Sequence, residues 1–341
     1  MTPKSRLENI LAGKPVDRPP FFPAIYDYKS TLAKVPPHLF GQNDRELFFA
    51  LRQEVEALHA EILTCAYDIY NVEAEAIGGQ VTRDASLLLP EMRDPVITSL
   101  DQVKTLGALT APAGRMGVYI AAAKEAVKKF GAAVPVRGGV SGPFSMASKI
   151  YPREELLMAT VTDPEGVIAL LRACTDTIKV YIEGFLNAGA GVAVFDSFIV
   201  PPMLSPALYE ELVLPFHKEI FTLLAERGVA LRTLIAGGNT LPLLPHLAKC
   251  GANQLILDYN IPLEKMKEAI RAFPEILFRI SLPPALISES MPERIRDAVS
   301  VLLFELKDIP RFMLGTGILP PHTPLTNLLS ARQALIDFFA V

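Results

Sequence analysis

The sequence predicts an α/β protein built as a single-domain (β/α)8 TIM barrel, an expectation that rests on three observations. About eight short apolar runs recur along the 341 residues, and helical patterns separate most of them. Runs that are apolar on both faces and joined by helices imply a parallel sheet covered by helices, because such strands are buried on both sides. The length suits a closed barrel with insertions, and no G-x-G-x-x-G follows an early strand, which disfavours the open dinucleotide-binding sheet.

The elements follow in order. Ser5, Arg6, Leu7 and Glu8 have the S-x-x-E spacing of a capping box and open a short helix that Gly13 can close. Pro15, Pro19 and Pro20 then lead into the first strand, residues 21–25. Further strands are predicted at 68–72, 134–140, 191–198, 230–236, 254–259, 276–281 and 312–315, with helical patterns such as 155–186 and 206–227 between them. Residues 82–118 are punctuated by prolines and read as an excursion from the barrel. No Ser/Gly-rich linker, internal repeat or low-complexity segment marks a boundary, so 1–341 is expected to form one unit.

Composition narrows the function. Half the residues are hydrophobic and 21% are charged, as in globular chains. A formal charge of −4 without a long basic run disfavours nucleic-acid binding. The opening MTPKSRLENILAGKPVDRPP has charges and prolines where a signal peptide needs an apolar stretch, and no segment offers the roughly 18 apolar residues that span a bilayer. The protein is therefore expected in the cytoplasm. Cys65, Cys174 and Cys250 are far apart and read as free thiols rather than as a disulfide framework or zinc knot.

In a (β/α)8 barrel the reactive groups sit at the carboxyl ends of the strands. The polar residues there are Tyr26 and Asp27, then Asp68, Asn71 and Glu73, Ser141, Asp196 and Ser197, Asn239, Asp258, Arg279 and Ser281, and Thr316 with His322. Asp196, inside GVAVFDSFIV, is a carboxylate ending an apolar run; it is either a site residue or a structural acceptor of backbone N–H bonds at a helix start. Asp68 and Glu73 place two carboxylates near one strand end, suited to holding a cation or sharing a proton, whereas Glu75 reads as a solvated or capping partner. His322 is the one histidine of five at an expected strand mouth; His38, His59, His217 and His246 read as surface or packing residues. The glycines of AGGNT at 236–240 free backbone amides before a helix, suited either to holding an anionic group or to letting a ligand approach the main chain, but no phosphate-loop, H-E-x-x-H or G-x-S-x-G signature is present.

Several segments, in order and spacing, resemble the uroporphyrinogen decarboxylase and cobalamin-dependent methyltransferase superfamily. They are RLENILAGKPVDRPP, YDIYNVEAEAIGG, GPFSMAS, FDSF with LSPALYEELVLPFHKEIF, GGNTLPLLP, LILDYN and LGTGILPPHTPLTN. The likeness spans nearly the whole chain and implies a (β/α)8 barrel with a central active-site cleft. The decarboxylases' R-Q-A-G-R segment, whose arginines hold substrate carboxylates, is replaced by Ile25-Tyr26-Asp27-Tyr28-Lys29. Their essential aspartate matches Asp68, while their tyrosine falls at Lys149 and their histidine at Thr316. The methyltransferase branch is similar through VEAEAIGG and GNT, but its zinc ligands, H-x-C before G-N-T and a cysteine in the last strand, fall at Ile235, Gly237 and Thr316.

The resemblance thus implies a corrinoid-dependent methyltransferase that moves a methyl group between a small O- or N-methyl compound, as in O-demethylation, and a cobalamin on a partner protein. The usual thiolate zinc site is absent, and any zinc would need carboxylates and a histidine; the metal ligands are unassigned. Asp196 and Glu211 have a spacing that admits an oxygen-rich site, although Glu211 reads as solvated. The expected catalytic set is Asp196, Asp68, Glu73 and His322, with Tyr26, Asn239, Asp258, Arg279, Ser281 and Thr316 around the substrate. A tetrapyrrole decarboxylase and a non-catalytic ligand-binding barrel are the alternatives.

Overall fold

The computed structural model describes residues 1–87 and 89–340. Eight parallel strands form one sheet: β1 (Phe21–Ala24), β2 (Leu63–Cys65), β3 (Val136–Ser141), β4 (Gly191–Phe195), β5 (Thr233–Ile235), β6 (Gln254–Leu257), β7 (Leu277–Leu282) and β8 (Met313–Ile318). Their order is β1-β8-β7-β6-β5-β4-β3-β2, so every pairing beyond β1–β8 joins neighbours in sequence, as in a (β/α)8 barrel.

Seven strands overlap the runs expected from the sequence. The second does not: β2 is Leu63–Cys65, and 71–76 form a short helix instead of the end of a strand. Tyr70 adopts φ +81°, which ends extended backbone just before that helix. The buried Val72 and Ala74 mimic a strand's apolar run because they belong to the helix's inward face.

The opening helix, Pro3–Leu11, is capped by Thr2, whose Oγ1 accepts from the Ser5 N–H, one turn earlier than the expected capping box. Gly13 follows it at φ +67°. Leu7 and Ile10 of this helix pack with Phe22, Ile62, Leu231, Leu277 and Met313, closing the amino end of the barrel. The helical pattern 155–186 divides into Arg153–Thr162 and Pro164–Asn187, because Asp163 caps a new helix whose first residue is proline. The 206–227 pattern opens into a wide π turn at Tyr209–Val213. Pro215, which has no N–H to give, follows that turn.

Between β2 and β3 the chain leaves the wall: a small hairpin pairs Val81–Thr82 with Glu91–Met92, and a 3₁₀ turn spans Leu100–Thr105. All three cysteines are free and buried. Among the described residues no helix is long and apolar enough to cross a membrane.

Candidate active site

The carboxyl ends of the strands surround a cleft of about 540 Å³. Its apolar walls include Phe195, Ile235, Ile256 and Ile318, with Tyr67, Tyr70 and Tyr259 adding aromatic surface. A second hollow of about 530 Å³ lies at the closed amino end among Lys4, Leu7, Val136 and Leu231, away from the strand ends where barrel chemistry occurs.

Of the residues singled out from the sequence, Tyr26, Asp27, Asp68, Asn71, Ser197, Asp258, Arg279 and Ser281 line the cleft. Tyr26 follows β1 and sets its ring edge-on to Phe195, with centroids 5.2 Å apart. Asp27 is partly buried, and desolvation raises its carboxyl from 3.8 to about 6 against the opposing charge of Lys29. Asp258 accepts from the Gly238 N–H at 3.2 Å and from Asn260.

Asp68 is 1% exposed and already paired. Its Oδ1 accepts from Asn71 Nδ2 at 2.6 Å and its Oδ2 from Arg115 at 2.5 Å. The same guanidinium bonds Glu75, which also accepts from Arg83. Glu75, expected as a solvated or capping partner, is instead a half-buried link of a four-residue ion network with Arg83, Arg115 and Asp68. Burial pushes the Asp68 carboxyl up, while Arg115 and Asn71 oppose the shift.

Asp196, Glu73, Thr316, Asn239 and His322 do not line the cleft. Asp196 is fully buried at the start of the helix Pro143–Ile150, where it accepts from the N–H groups of Ser145 (2.7 Å) and Phe144 (3.3 Å). His217 Nε2 lies 2.9 Å from the same carboxylate, and its Nδ1 lies 3.0 Å from Tyr209 Oη. Gly142 is needed here, because a Cβ at that position would fall 2.2 Å from Asp196 Cβ. The structural acceptor role left open by the sequence is the geometry observed.

Glu73 accepts from the Ser141 N–H at 2.5 Å, and burial raises its carboxyl. Thr316 Oγ1 accepts from the Ala24 N–H at 3.0 Å, tying β8 to β1 where their register shifts. Asn239 is exposed and caps the following turn through Leu241. His322 is exposed in a turn beyond β8, so His322→Ala is expected to shift stability by no more than about 0.5 kcal/mol and to leave activity within about twofold of wild type, since exposed single substitutions usually change little. Parallel thermal melts and initial rates check this.

Four contributors were not singled out as site residues. Arg115 lies 47 residues from Asp68 in the excursion, and Tyr70 lines the cleft in a strained positive-φ conformation of the kind that clusters at functional sites. Lys149 enters from the helix Pro143–Ile150, where burial lowers its ammonium. Arg137 crosses the barrel interior, donating to Thr64 Oγ1 at 2.9 Å and Thr233 Oγ1 at 2.6 Å. Burial and the nearby Arg279 lower Arg137 to about 10. A charged residue inside a strand otherwise apolar on both faces was the one available signal, and Arg137 shows it in VRGGVS.

The model of the uroporphyrinogen decarboxylase (URO-D) family matches residues 2–337. The chain belongs to this family. Among URO-D relatives, the methylcobamide:CoM methyltransferase MtbA of Methanosarcina acetivorans is 26% identical, aligned over 96% of this chain and 95% of that protein. A uroporphyrinogen decarboxylase of Myxococcus xanthus is 28% identical over 74% of this chain and 72% of its own. A methyltransferase from Methanosarcina mazei has the same fold, with a TM-score of 0.86 at 21% identity and 99% coverage of both chains. The methylcobamide:CoM methyltransferases among these relatives support an enzyme of the methyltransferase kind.

The thiolate zinc site of the methyltransferase branch does not fit the residues present. Ile235 and Gly237 stand in the cleft wall where the histidine and first cysteine are expected, and the Thr316 hydroxyl is spent on Ala24. No group of three or more His, Cys, Asp or Glu side chains suited to a metal ion occurs among the described residues.

Proposed function

We propose that this protein is a corrinoid-linked methyltransferase that takes a methyl group from the oxygen or nitrogen of a small compound. The observation that carries this reading over porphyrin decarboxylation is the cleft's supply of cations. Arg115 is committed to Asp68 and Glu75, which leaves Arg279 and Lys149 facing a single cleft of about 540 Å³. A porphyrin with eight carboxylates calls for many more positive groups than these. The methyltransferase relatives matched over nearly their whole length point the same way.

The corrinoid, held by a partner protein, would be the methyl-accepting substrate. This chain's task is then to hold the donor and ease the departure of its oxygen or nitrogen. The C–O or C–N electron pair stays on the heteroatom, which needs a proton as the methyl group leaves. Asp27 is the group fitted to deliver it, because its carboxyl is raised to about 6 and it faces the cleft. Asp68, fixed by Arg115 and Asn71, orients the edge of the donor, and Tyr26, Asp258 and Ser281 shape its seat. Asp196 and Glu73 are positioning residues: they hold the first turn of the Pro143–Ile150 helix and the end of β3.

The test is to follow loss of cob(I)alamin absorbance when the purified protein meets a panel of methoxylated and N-methylated donors, with its own corrinoid protein or with excess free cobalamin. Donor-dependent loss supports the reading. Carbon dioxide release from uroporphyrinogen without methyl transfer would replace it with decarboxylation, and ligand binding without turnover would leave a non-catalytic barrel.

A further inference from the structure

Within the methyltransferase reading, we propose that Arg279, Tyr26 and Ser281 form an anion-anchoring subsite at the floor of the cleft, which selects donors carrying a carboxylate or sulfonate. The other buried cations all have partners within the protein, although Arg137 keeps one nitrogen without a bond. Arg6 is paired with Asp17 and Glu61, Arg18 with Glu61, Lys29 with Glu54, and Arg137 donates to two threonine hydroxyls. Arg279, 3% exposed on β7, has no acid or threonine partner: among the described residues, its buried Nε and Nη1 complete no hydrogen bond of good geometry.

Two neighbouring groups share that condition. Ser281 is 5% exposed and Tyr26 is 3% exposed; Ser281 Oγ has no partner among the described residues, and Tyr26 Oη meets only the Arg279 side chain, without completing a hydrogen bond of good geometry. All three line the cleft. Arg279 and Ser281 are two residues apart on one strand, so both face the barrel interior, with Arg279 one layer deeper. Buried donors without partners are rare in folded chains, and three converging on one cavity imply that a ligand supplies the acceptors.

The position of the guanidinium is built into the fold. Its stem lies across Gly315 of β8, where a Cβ would stand 2.7 Å from Arg279 Cδ, and its plane lies against Phe22, 5.5 Å from the ring centroid. Its negative neighbour is Asp258, which acts on it through its field and is itself held by Gly238 and Asn260. A planar fork with two free donor nitrogens, flanked by two hydroxyls, suits an oxyacid group. Above it, Phe195, Ile235 and Ile256 offer apolar walls for a ring or short carbon skeleton. Anchoring the anion on the floor directs the methyl end outward, toward the exposed Ile318 and Tyr259 at the mouth.

Binding of 4-methoxybenzoate, 4-methoxybenzenesulfonate and 4-methoxybenzyl alcohol is measured by calorimetry on the full-length protein, with no corrinoid present. The expected result is that one or both anions bind at least tenfold more tightly than the alcohol, their order telling carboxylate from sulfonate. Arg279→Met should erase that preference while sparing the alcohol, Arg279→Lys should keep part of it, and Tyr26→Phe should weaken it severalfold. Circular dichroism melts check folding; if Arg279→Met fails to fold, the wild-type preference and Tyr26→Phe decide. Equal affinity for the three probes, no binding of any, or an anion preference that survives in folded Arg279→Met overturns the subsite. Anion-selective binding without methyl transfer keeps the subsite and removes the methyltransferase reading.

Discussion

Asp27→Asn is expected to slow methyl transfer by roughly 10²- to 10⁴-fold, the usual contribution of a positioned general acid, while leaving donor binding nearly unchanged. The wild-type rate should also carry a limb set by this carboxyl. Burial raises it from 3.8 to about 6, so the acid form needed to protonate the leaving atom predominates below pH 6 and falls about tenfold per pH unit above it. Activity should therefore decline as pH rises through about 6. The variant should show a low, flat profile over the same range. A wild-type rate that rises through pH 6, or a variant that keeps the limb, would sink the assignment of Asp27. Stability has the same sign: a carboxyl raised on folding favours the folded state most fully below pH 3.8, and that contribution is lost as pH rises through about 6.

Asp196→Ala is expected to lower stability by about 3 to 5 kcal/mol, the range found when one member of a buried polar or ionic set is removed. The change strands the N–H groups of Ser145 and Phe144 together with His217 Nε2, all gathered on one fully buried carboxylate. Asp196→Asn keeps one acceptor oxygen and should lose less. Denaturant melts measure both variants, and the rate per folded molecule should remain within severalfold of wild type. A stable Asp196→Ala protein that has lost all turnover would instead make Asp196 a direct participant in the reaction, as its place at the end of an apolar run first suggested.

The amino-acid sequence by itself determined the architecture. Seven of the eight strands announce themselves as short runs buried on both faces, because a parallel strand inside a shell of helices has no polar side to show. It also determined which strand ends carry polar groups, so Tyr26, Asp27, Asp258, Arg279 and Ser281 were legible from their place just after, or within, such runs. The misplaced second strand marks the limit: an inward helix face and a buried strand produce the same local apolar pattern, and only the left-handed backbone at Tyr70 separates them.

Which of those polar groups are free to act was decided by tertiary structure alone. A carboxylate's chemistry depends on its neighbours, and those neighbours are remote in sequence. Arg115 reaches Asp68 across 47 residues, Ser145 and His217 converge on Asp196 from 51 residues before and 21 after, and Ala24 occupies Thr316 across 292. Closure of the barrel brings these pairs together, taking Asp196 and Glu73 out of the cleft while leaving Arg279 Nε and Nη1 inside it without a well-formed hydrogen bond among the described residues. Hydrogen-bond satisfaction is a property of packing in three dimensions, and no local spacing in the chain encodes it.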